Sequence, residues 1–430
     1  MSKDPFVMLP RDVVDRMLSA EGNSGDLTMT HLSSEELYVV TRLALGSGAR
    51  VQVDIPTEYE TLRWTGTDYA GQWFKQPSEH INLAHLELIR RPGSAVTFET
   101  FKTWVPGVHD PGNRIGLVIT IDPNLTDEQR RARAREYAGW IVTRQAVHAI
   151  DVAVEPTHLG LPQLADQWSV DRLAQDTVMV VGLGSIGGAA ADQLAAMGIG
   201  QTILVDPDRF LWHNEVRHVL DQRHVGRLKV DAMKTHLGDR WPEHRVLPVA
   251  ADVVEAADLI RPLVPAVDLI LCAADGIAPR RVVSHLAKRA ALPSVQACVL
   301  NDGGIGEVLR LRPGPRFGCL PCQRANLAAG GGIDPEADQE LPYGTGLVHK
   351  PMTAIPTDLH LVGNLAAKVA AATLLEGKHG QLFSLPGEHA VIGLRAAQGL
   401  AAPFDVAAVG EVTWHGVAPP RPDCVTCNPA

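Results

Sequence analysis

Basic charge is in short supply in this chain: 39 lysines and arginines face 49 aspartates and glutamates, a formal net charge of -10 over 430 residues. A general nucleic-acid binder draws its affinity from neutralising phosphates with Lys and Arg, so this balance argues against that class. It leaves room for a single nucleotide, which needs only local positive charge and backbone N–H groups. Long apolar runs are missing too. Stretches such as VDLILCAA are too short to cross a bilayer. The first residues, MSKDPFVMLPRDVVDR, carry a charge or a proline every few positions and have no apolar core of the kind a signal peptide needs, so a cytoplasmic location is expected. No internal repeat is evident. What remains is an ordinary globular composition, 45% hydrophobic and 20% charged, in a chain long enough for two or three domains.

Cysteine is also sparse, with six in all, but four of them form two C-x-x-C pairs, Cys319 with Cys322 and Cys424 with Cys427. In a reducing compartment such pairs point to metal before disulfide. Each knuckle offers two thiolates on one tight turn, and two knuckles complete the tetrahedral sulfur shell that structural zinc prefers. About a hundred residues separate them, so a zinc ion would pin the tail to a folded domain. Four thiolates leave no open coordination position, which makes the metal structural; two separate redox dithiols are the alternative. Cys272 and Cys298 lie in apolar, strand-like runs and read as small buried hydrophobes.

The N-terminal part, residues 1–155, reads as an α+β domain. SSEELYVVTRLAL opens with the capping-box pattern Ser33-x-x-Glu36 and continues with helical spacing, RVQVDI alternates like a strand, and RIGLVITI is a second strand. TDEQRRARAREYAGWIVTRQAVHAI opens with Thr126-x-x-Gln129 and reads as one long amphipathic helix whose arginines face solvent. No catalytic constellation falls in this part. After the linker EPTHLGLPQL the rhythm changes to strands alternating with helices over residues 156–430, the pattern of a Rossmann-like, doubly wound, mostly parallel sheet. Residues 328–356 interrupt it with glycines, acidic stretches and prolines, and a mobile loop near the site is expected there.

Between the strand TVMVVG and the helix GGAAADQLAAMG, the run VVGLGSIGG sets Gly182, Gly184 and Gly187 in G-x-G-x-x-G order. Such glycines permit a tight turn and the close approach of a phosphate to a helix N-terminus, where unpaired N–H groups and the helix dipole favour anions. The next strand, QTILVD, ends at Asp206, near the distance expected of an acid that binds a ribose hydroxyl. To this point a nicotinamide-dependent oxidoreductase fits equally well. The segment that follows, DPDRFLWHNEVRHVLDQRHVGRLKVDAMK, adds Asn214, Arg217 and Lys229 just past the ribose-binding strand. A reaction that expels pyrophosphate needs cations on the phosphates and a carboxylate for magnesium. Asp275, at the end of the strand AVDLILCAAD, supplies the carboxylate on the carboxyl edge of the sheet, where ligands bind in such folds.

In these residues the chain resembles the ThiF/MoeB superfamily, the activating enzymes of ubiquitin-like proteins and their sulfur-carrier relatives. The matching motifs are the glycine loop, Asp206-Pro207-Asp208, Asn214-Glu215-Val216-Arg217, Gly226-Arg227-Leu228-Lys229 and the aspartate Asp275. The paired C-x-x-C arrangement recurs in the family as well. The resemblance covers about residues 170–430 and implies ATP as the nucleotide. It assigns the glycine loop with Ser185 to the phosphates and Asp206 to the ribose, with Asp208 among the nucleotide-binding residues. Asn214, Arg217 and Lys229 take phosphates, Asp275 takes magnesium, and Cys319, Cys322, Cys424 and Cys427 take zinc. Arg217, Lys229 and Asp275 would carry the catalysis. The implied activity is ATP-dependent adenylation of a carboxylate, the C-terminus of a ubiquitin-like or sulfur-carrier protein or of a precursor peptide, by a homodimer. Residues 1–155 would recognise that acceptor.

Three departures from the family pattern carry consequences. There is no Cys between Cys322 and Cys424, so acyl transfer to a cysteine of that loop is unavailable. The stretch before the glycine strand, QWSVDRLAQDTV, holds only Arg172 where relatives have an Arg-rich segment that reaches a dimer partner's ATP. The loop centre is Gly184-Ser185 where Gly-Gly is common. A nucleotide-binding scaffold of the same fold without turnover is the reading these departures keep open.

Overall fold

The computed structural model describes residues 5–44, 50–57, 59–63, 65–91, 93–157, 160–331, 354–381, 383–395 and 399–428. The chain divides into two compact units, residues 1–159 and 160–430. Among the described residues no helix is long and apolar enough to cross a membrane.

The first unit is built on strands β1 (Phe6–Leu9), β2 (Ser24–Leu32), β3 (Leu37–Ala44), β4 (Arg50–Gln52), β5 (Thr67–Lys75), β6 (Val96–Thr97), β7 (Gly116–Ile121), β8 (Tyr137–Val142) and β9 (Ala146–Val154), with helices α1 (Arg11–Ser19), α2 (Ile81–Ile89), α3 (Phe98–Trp104) and α4 (Asp127–Arg131). Strand β1 pairs in parallel with both β3 and β9, so the pairings run β1-β3-β2-β5-β7-β8-β9 and return to β1 as a ring. Alternation sends Leu117, Ile119 and Ile121 of β7 into one core with Val13, Val14 and Met17 of α1. Val118 on the opposite face joins Phe98, Phe101 and Trp140 in a second core.

Two sequence expectations fail here. The SSEELYVVTRLAL segment is a strand, β3, and Ser33–Glu36 forms the turn before it, with Glu36 at a φ of 51°. Tyr38, Val39, Val40 and Thr41 are the aromatic and β-branched residues that suit a pleated, two-sided surface, and pairing with β1 and β2 overrides the helical spacing. The capping box at Thr126–Gln129 is real, with both of its hydrogen bonds made, but the helix it starts ends at Arg131. Arg133, at a φ of 69°, turns the chain into the antiparallel hairpin β8–β9. A cap fixes where a helix begins; it does not set its length.

The second unit contains strands β10 (Thr177–Val181), β11 (Gln201–Val205), β12 (Arg245–Val249), β13 (Leu269–Cys272), β14 (Ser294–Leu300), β15 (Ile305–Leu311), β16 (His389–Gly393) and β17 (Val412–His415). Helices α5 (Val170–Leu173), α6 (Ser185–Ala196), α7 (Trp212–Glu215), α8 (Lys229–Arg240), α9 (Ala257–Ile260), α10 (Ile277–Arg289), α11 (Leu320–Ala329) and α12 (Pro356–Gly377) intervene. The sheet order is β12-β11-β10-β13-β14-β15-β16-β17. The run from β12 to β14 is parallel, and β15, β16 and β17 add antiparallel strands. After β10 the chain goes to one side for β11 and β12 and later returns to the other for β13, so the crevice at the carboxyl ends of β10 and β13 is the topological switch point. The central parallel strands β10, β11, β13 and β14 are buried on both faces, whereas the edge strand β12 is partly exposed. Val178, Val180, Leu269 and Leu271 face a core shared with α6 and α12. Met179, Val181, Ile270 and Cys272 face one shared with α10. Each such side chain contributes about 1.5–3 kcal/mol by leaving water. Helix α12 rides directly on the start of α6: a Cβ on Gly363 would lie 2.5 Å from the Ile186 carbonyl oxygen. Most of the loop anticipated at 328–356, residues 332–353, lies outside the described residues.

Candidate functional site

The glycines of the β10–α6 turn answer to different constraints. Gly182 has a φ of 83°, and a Cβ there would sit 2.5 Å from the backbone of Ala274, so both the conformation and the space demand glycine. At Gly187 a Cβ would fall 1.8 Å from the Gly182 carbonyl oxygen, which is how the first turn of α6 closes onto the loop. Gly184 differs: it is the N-cap of α6, and a Cβ there would meet nothing within 4 Å. The turn therefore packs tightly on its protein side and is open at the helix N-terminus, where first-turn N–H groups lack intrahelical partners and the dipole is positive. Ser185, the first helical residue, is buried.

Asp206 ends β11 and is 5% exposed. Its Oδ2 accepts from the Leu183 N–H at 2.6 Å, tying the carboxylate into the glycine turn, and its Oδ1 accepts from the Asp208 N–H at 2.8 Å. Burial raises its pKa, and Lys229 together with these two N–H donors opposes the rise. Lys229 opens α8 with its side chain only 9% exposed; its Nζ lies 2.8 Å from Asp208 Oδ2 and 3.7 Å from Asp206 Oδ1. The Asp208 side chain is 57% exposed and is the accessible member of the trio. Asn214 uses its Oδ1 to accept from the Leu211 N–H at 2.8 Å, fastening the start of α7. Arg217 is half-buried, and its carbonyl accepts from His360 Nε2 at 2.9 Å. Asp275 is exposed and directly follows Ala274, the residue whose backbone abuts Gly182. The glycine turn thus contacts both the Asp206–Asp208–Lys229 group, through Leu183, and the strand end before Asp275, through Gly182, at the carboxyl edge of the sheet.

One residue that sequence reasoning passed over stands in the middle of this. His218 is buried, its Nε2–H donates to the Leu183 carbonyl at 2.8 Å, and its Nδ1 accepts from the Leu220 N–H at 3.1 Å. Those two contacts require the neutral Nε2–H tautomer. Burial, the largest cause, brings its pKa down to about 4 although the Leu183 carbonyl favours the charged form. No periodicity or motif distinguishes this histidine; only its place beside Arg217 could have drawn attention to it.

Cys319, Cys322, Cys424 and Cys427 converge, all four sulfurs lying within 4.8 Å of one another. The separations are 3.7 Å for Cys319–Cys322, 3.5 Å for Cys319–Cys424 and 3.9 Å for Cys322–Cys427. These are far from the ~2.05 Å of a disulfide. They match the edge of a tetrahedron of sulfurs about 2.3 Å from a central ion, which is about 3.8 Å. Burial raises the Cys319 thiol. Burial also opposes the Cys424 thiolate, but hydrogen bonds from the Cys427 and Thr426 backbone and from the Cys319 and Cys322 thiols bring it to about 7. The donor set fits a soft divalent ion. Helix α10, which starts just after Asp275, also carries the knuckles: Ser284 Oγ accepts from the Leu320 N–H at 2.9 Å, and His285 Nδ1 lies 3.1 Å from Thr426 Oγ1.

The two remaining cysteines are poor nucleophiles. Burial pushes the Cys272 thiol up to about 11 and the Cys298 thiol up to about 12. Cys298 sits in a buried polar layer where its sulfur meets Arg280 at 3.1 Å, next to Glu307, which pairs with Arg324 and His389. Burial works against the Glu307 carboxylate, yet Arg324 and His389 outweigh it and hold the carboxyl well below its usual range.

The family model described as the ThiF family matches residues 157–381. Curated relatives include the adenylyltransferase and sulfurtransferase uba4 of Emericella nidulans, 32% identical over 189 residues that cover 40% of this chain and 38% of that protein. The adenylyltransferase and sulfurtransferase MOCS3 of Bos taurus is 30% identical over 201 residues, 44% of this chain and 42% of that one. The match thus spans about two fifths of the length of these relatives. Among solved structures, E. coli MccB with ATP is similar at 23% identity and a TM-score of 0.44, covering 60% of this chain and 68% of that one.

Proposed function

The chain belongs to the ThiF family, and from that premise we propose that it is an ATP-dependent adenylyltransferase that activates the C-terminal carboxylate of a ubiquitin-like or sulfur-carrier protein or of a precursor peptide. The observation that carries the reading is the contact of the open glycine turn, at one sheet edge, with both the Asp206–Asp208–Lys229 group and the strand end leading to Asp275. In the proposed reaction a carboxylate oxygen attacks the α-phosphorus of ATP, the bond from that phosphorus to the bridging oxygen breaks, and pyrophosphate leaves. The backbone around Gly182, Gly184, Ser185 and Gly187, at the start of α6, receives phosphate oxygens. Asp206 shapes the turn and Asp208 offers the more accessible carboxylate to the ribose. Asn214 holds the segment that carries Arg217, and Arg217 and Lys229 offset charge on the phosphates as pyrophosphate departs. Asp275 would hold magnesium, which neutralises phosphate charge when bound.

The Cys319, Cys322, Cys424 and Cys427 cluster is proposed to bind zinc in a structural role, supported by its sulfur–sulfur spacing. Reduced thiols in that number suit a reducing, cytoplasmic setting. With no Cys between 322 and 424 and both other cysteines buried, the acyl adenylate passes to a nucleophile on the substrate, a partner or a sulfur donor. Residues 1–155 are proposed to recognise the acceptor. A homodimer is proposed as well. Trp212 and Val216 are 77% and 62% exposed beside Arg217, and Ile355 and Leu361, 60% and 42% exposed, flank the His360 that contacts it. Exposed apolar side chains on two segments joined by the His360–Arg217 hydrogen bond suit a covered surface. Trp212→Asp should shift sedimentation from dimer to monomer, and a wild type that sediments as a monomer at all concentrations removes the dimer.

The activity is tested by magnesium-dependent pyrophosphate release or exchange with candidate acceptor carboxylates. Absence of ATP binding at millimolar nucleotide contradicts the reading.

A further inference from the structure

We propose that His218 and His360 are positioning residues that hold the backbone of Arg217 in register with the glycine turn, an inference that rests on Arg217 acting on ATP phosphates as proposed above. The Leu183 peptide is gripped from both sides. Its N–H donates to Asp206 Oδ2 at 2.6 Å, and its carbonyl accepts from His218 Nε2 at 2.8 Å. The same imidazole accepts from the Leu220 N–H at 3.1 Å, so it is fixed in its own segment as well as to the turn. It is seated against α6 at Gly188, where a Cβ would lie 2.8 Å from His218 Cε1, and meets the edge of Phe210 at 5.2 Å between ring centroids. One residue earlier, the Arg217 carbonyl accepts from His360 Nε2 at 2.9 Å, which ties this segment to α12. Helix α12 in turn packs on the first turn of α6 through Gly363. The Arg217 backbone is therefore fixed by one histidine on its own carbonyl and by another on the next residue. Both lines of contact lead back to the loop that would receive the phosphates. Gly188 is a glycine because the imidazole occupies the space a methyl group would need.

A group in the wrong place by about 1 Å can cost about 100-fold in rate. His218→Ala is therefore expected to raise the dissociation constant for ATP about tenfold and to slow pyrophosphate exchange further. His218→Gln, whose amide nitrogen is as many bonds from Cα as His Nε2, is expected to restore most of the loss. Gly188→Ala, which displaces the imidazole, should resemble His218→Ala. The deciding measurement is a double-mutant cycle with Arg217→Ala, read as ATP affinity by calorimetry on the full chain. If His218 acts through Arg217, His218→Ala costs little more once Arg217 is gone; equal cost in both backgrounds overturns the inference. Should His218→Ala fail to fold, His360→Ala goes through the same cycle with the same expected non-additivity. Unchanged ATP affinity in Arg217→Ala alone overturns the phosphate role of Arg217 itself. A weakened Arg217→Ala combined with additive histidine variants leaves that role standing and removes only the positioning one.

Discussion

The buried His218 should make the second unit sensitive to mild acid by an amount that can be worked out. Its pKa is brought to about 4 in the fold, from 6.5 in an unfolded chain. Below about pH 6.5 the unfolded chain binds a proton at this position that the folded protein refuses, so stability present above that pH is lost as the pH falls towards about 4. Each pH unit in that window is worth about 1.4 kcal/mol, and the loss between about pH 7 and pH 5 is about 2 kcal/mol. His85, His244 and His415 are also pulled down by burial, whereas burial raises Asp206, so acid unfolding of the wild type alone would not isolate the effect. His218→Gln keeps an N–H donor and removes the titration. Urea unfolding of both proteins over that pH range gives a difference to which only this site contributes. The stability of His218 relative to Gln at this position should fall by about 2 kcal/mol between about pH 7 and pH 5. Parallel stability curves would refute the claim that the imidazole is held neutral against Leu183.

Two further outcomes are expected. Cys424→Ser should lower zinc content and thermal stability together, and unchanged zinc by atomic emission would remove the metal site. Gly187→Ala, whose new methyl carbon would fall 1.8 Å from the Gly182 carbonyl oxygen, should push the turn away from α6 and weaken ATP binding about tenfold or more, as judged by titration calorimetry. An alanine variant with normal affinity would mean that the turn does not form the phosphate site.

The second unit was the more legible half of the sequence because its signals are local. Thr177–Val181, the glycine turn and Ser185–Ala196 follow one another as strand, turn and helix, and each glycine's need for space is visible within ten residues or at the facing strand end. The cysteine pairs were legible because C-x-x-C fixes a turn and a ligand chemistry at once. In the first unit the decisive partners are remote. Leu37–Ala44 becomes a strand because β1 and β2 flank it, and nothing in SSEELYVV displays that pairing. Trp140 reads as part of a helical stripe until Phe101 and Thr120, far away in sequence, receive its ring and its indole N–H. His218 was overlooked for the same reason: its importance lies in the Leu183 carbonyl 35 residues away.

The central claim is that one sheet edge binds ATP and releases pyrophosphate. It is tested most directly by comparing magnesium-dependent pyrophosphate release in the wild type with Lys229→Met and Asp275→Asn, in the presence of an acceptor with a free C-terminal carboxylate. The wild type should release pyrophosphate, release should vanish when the acceptor's carboxylate is amidated, and each variant should lose about 100-fold or more. Variants that release pyrophosphate as fast as the wild type, or a wild type that binds NADH and ignores ATP, would contradict it.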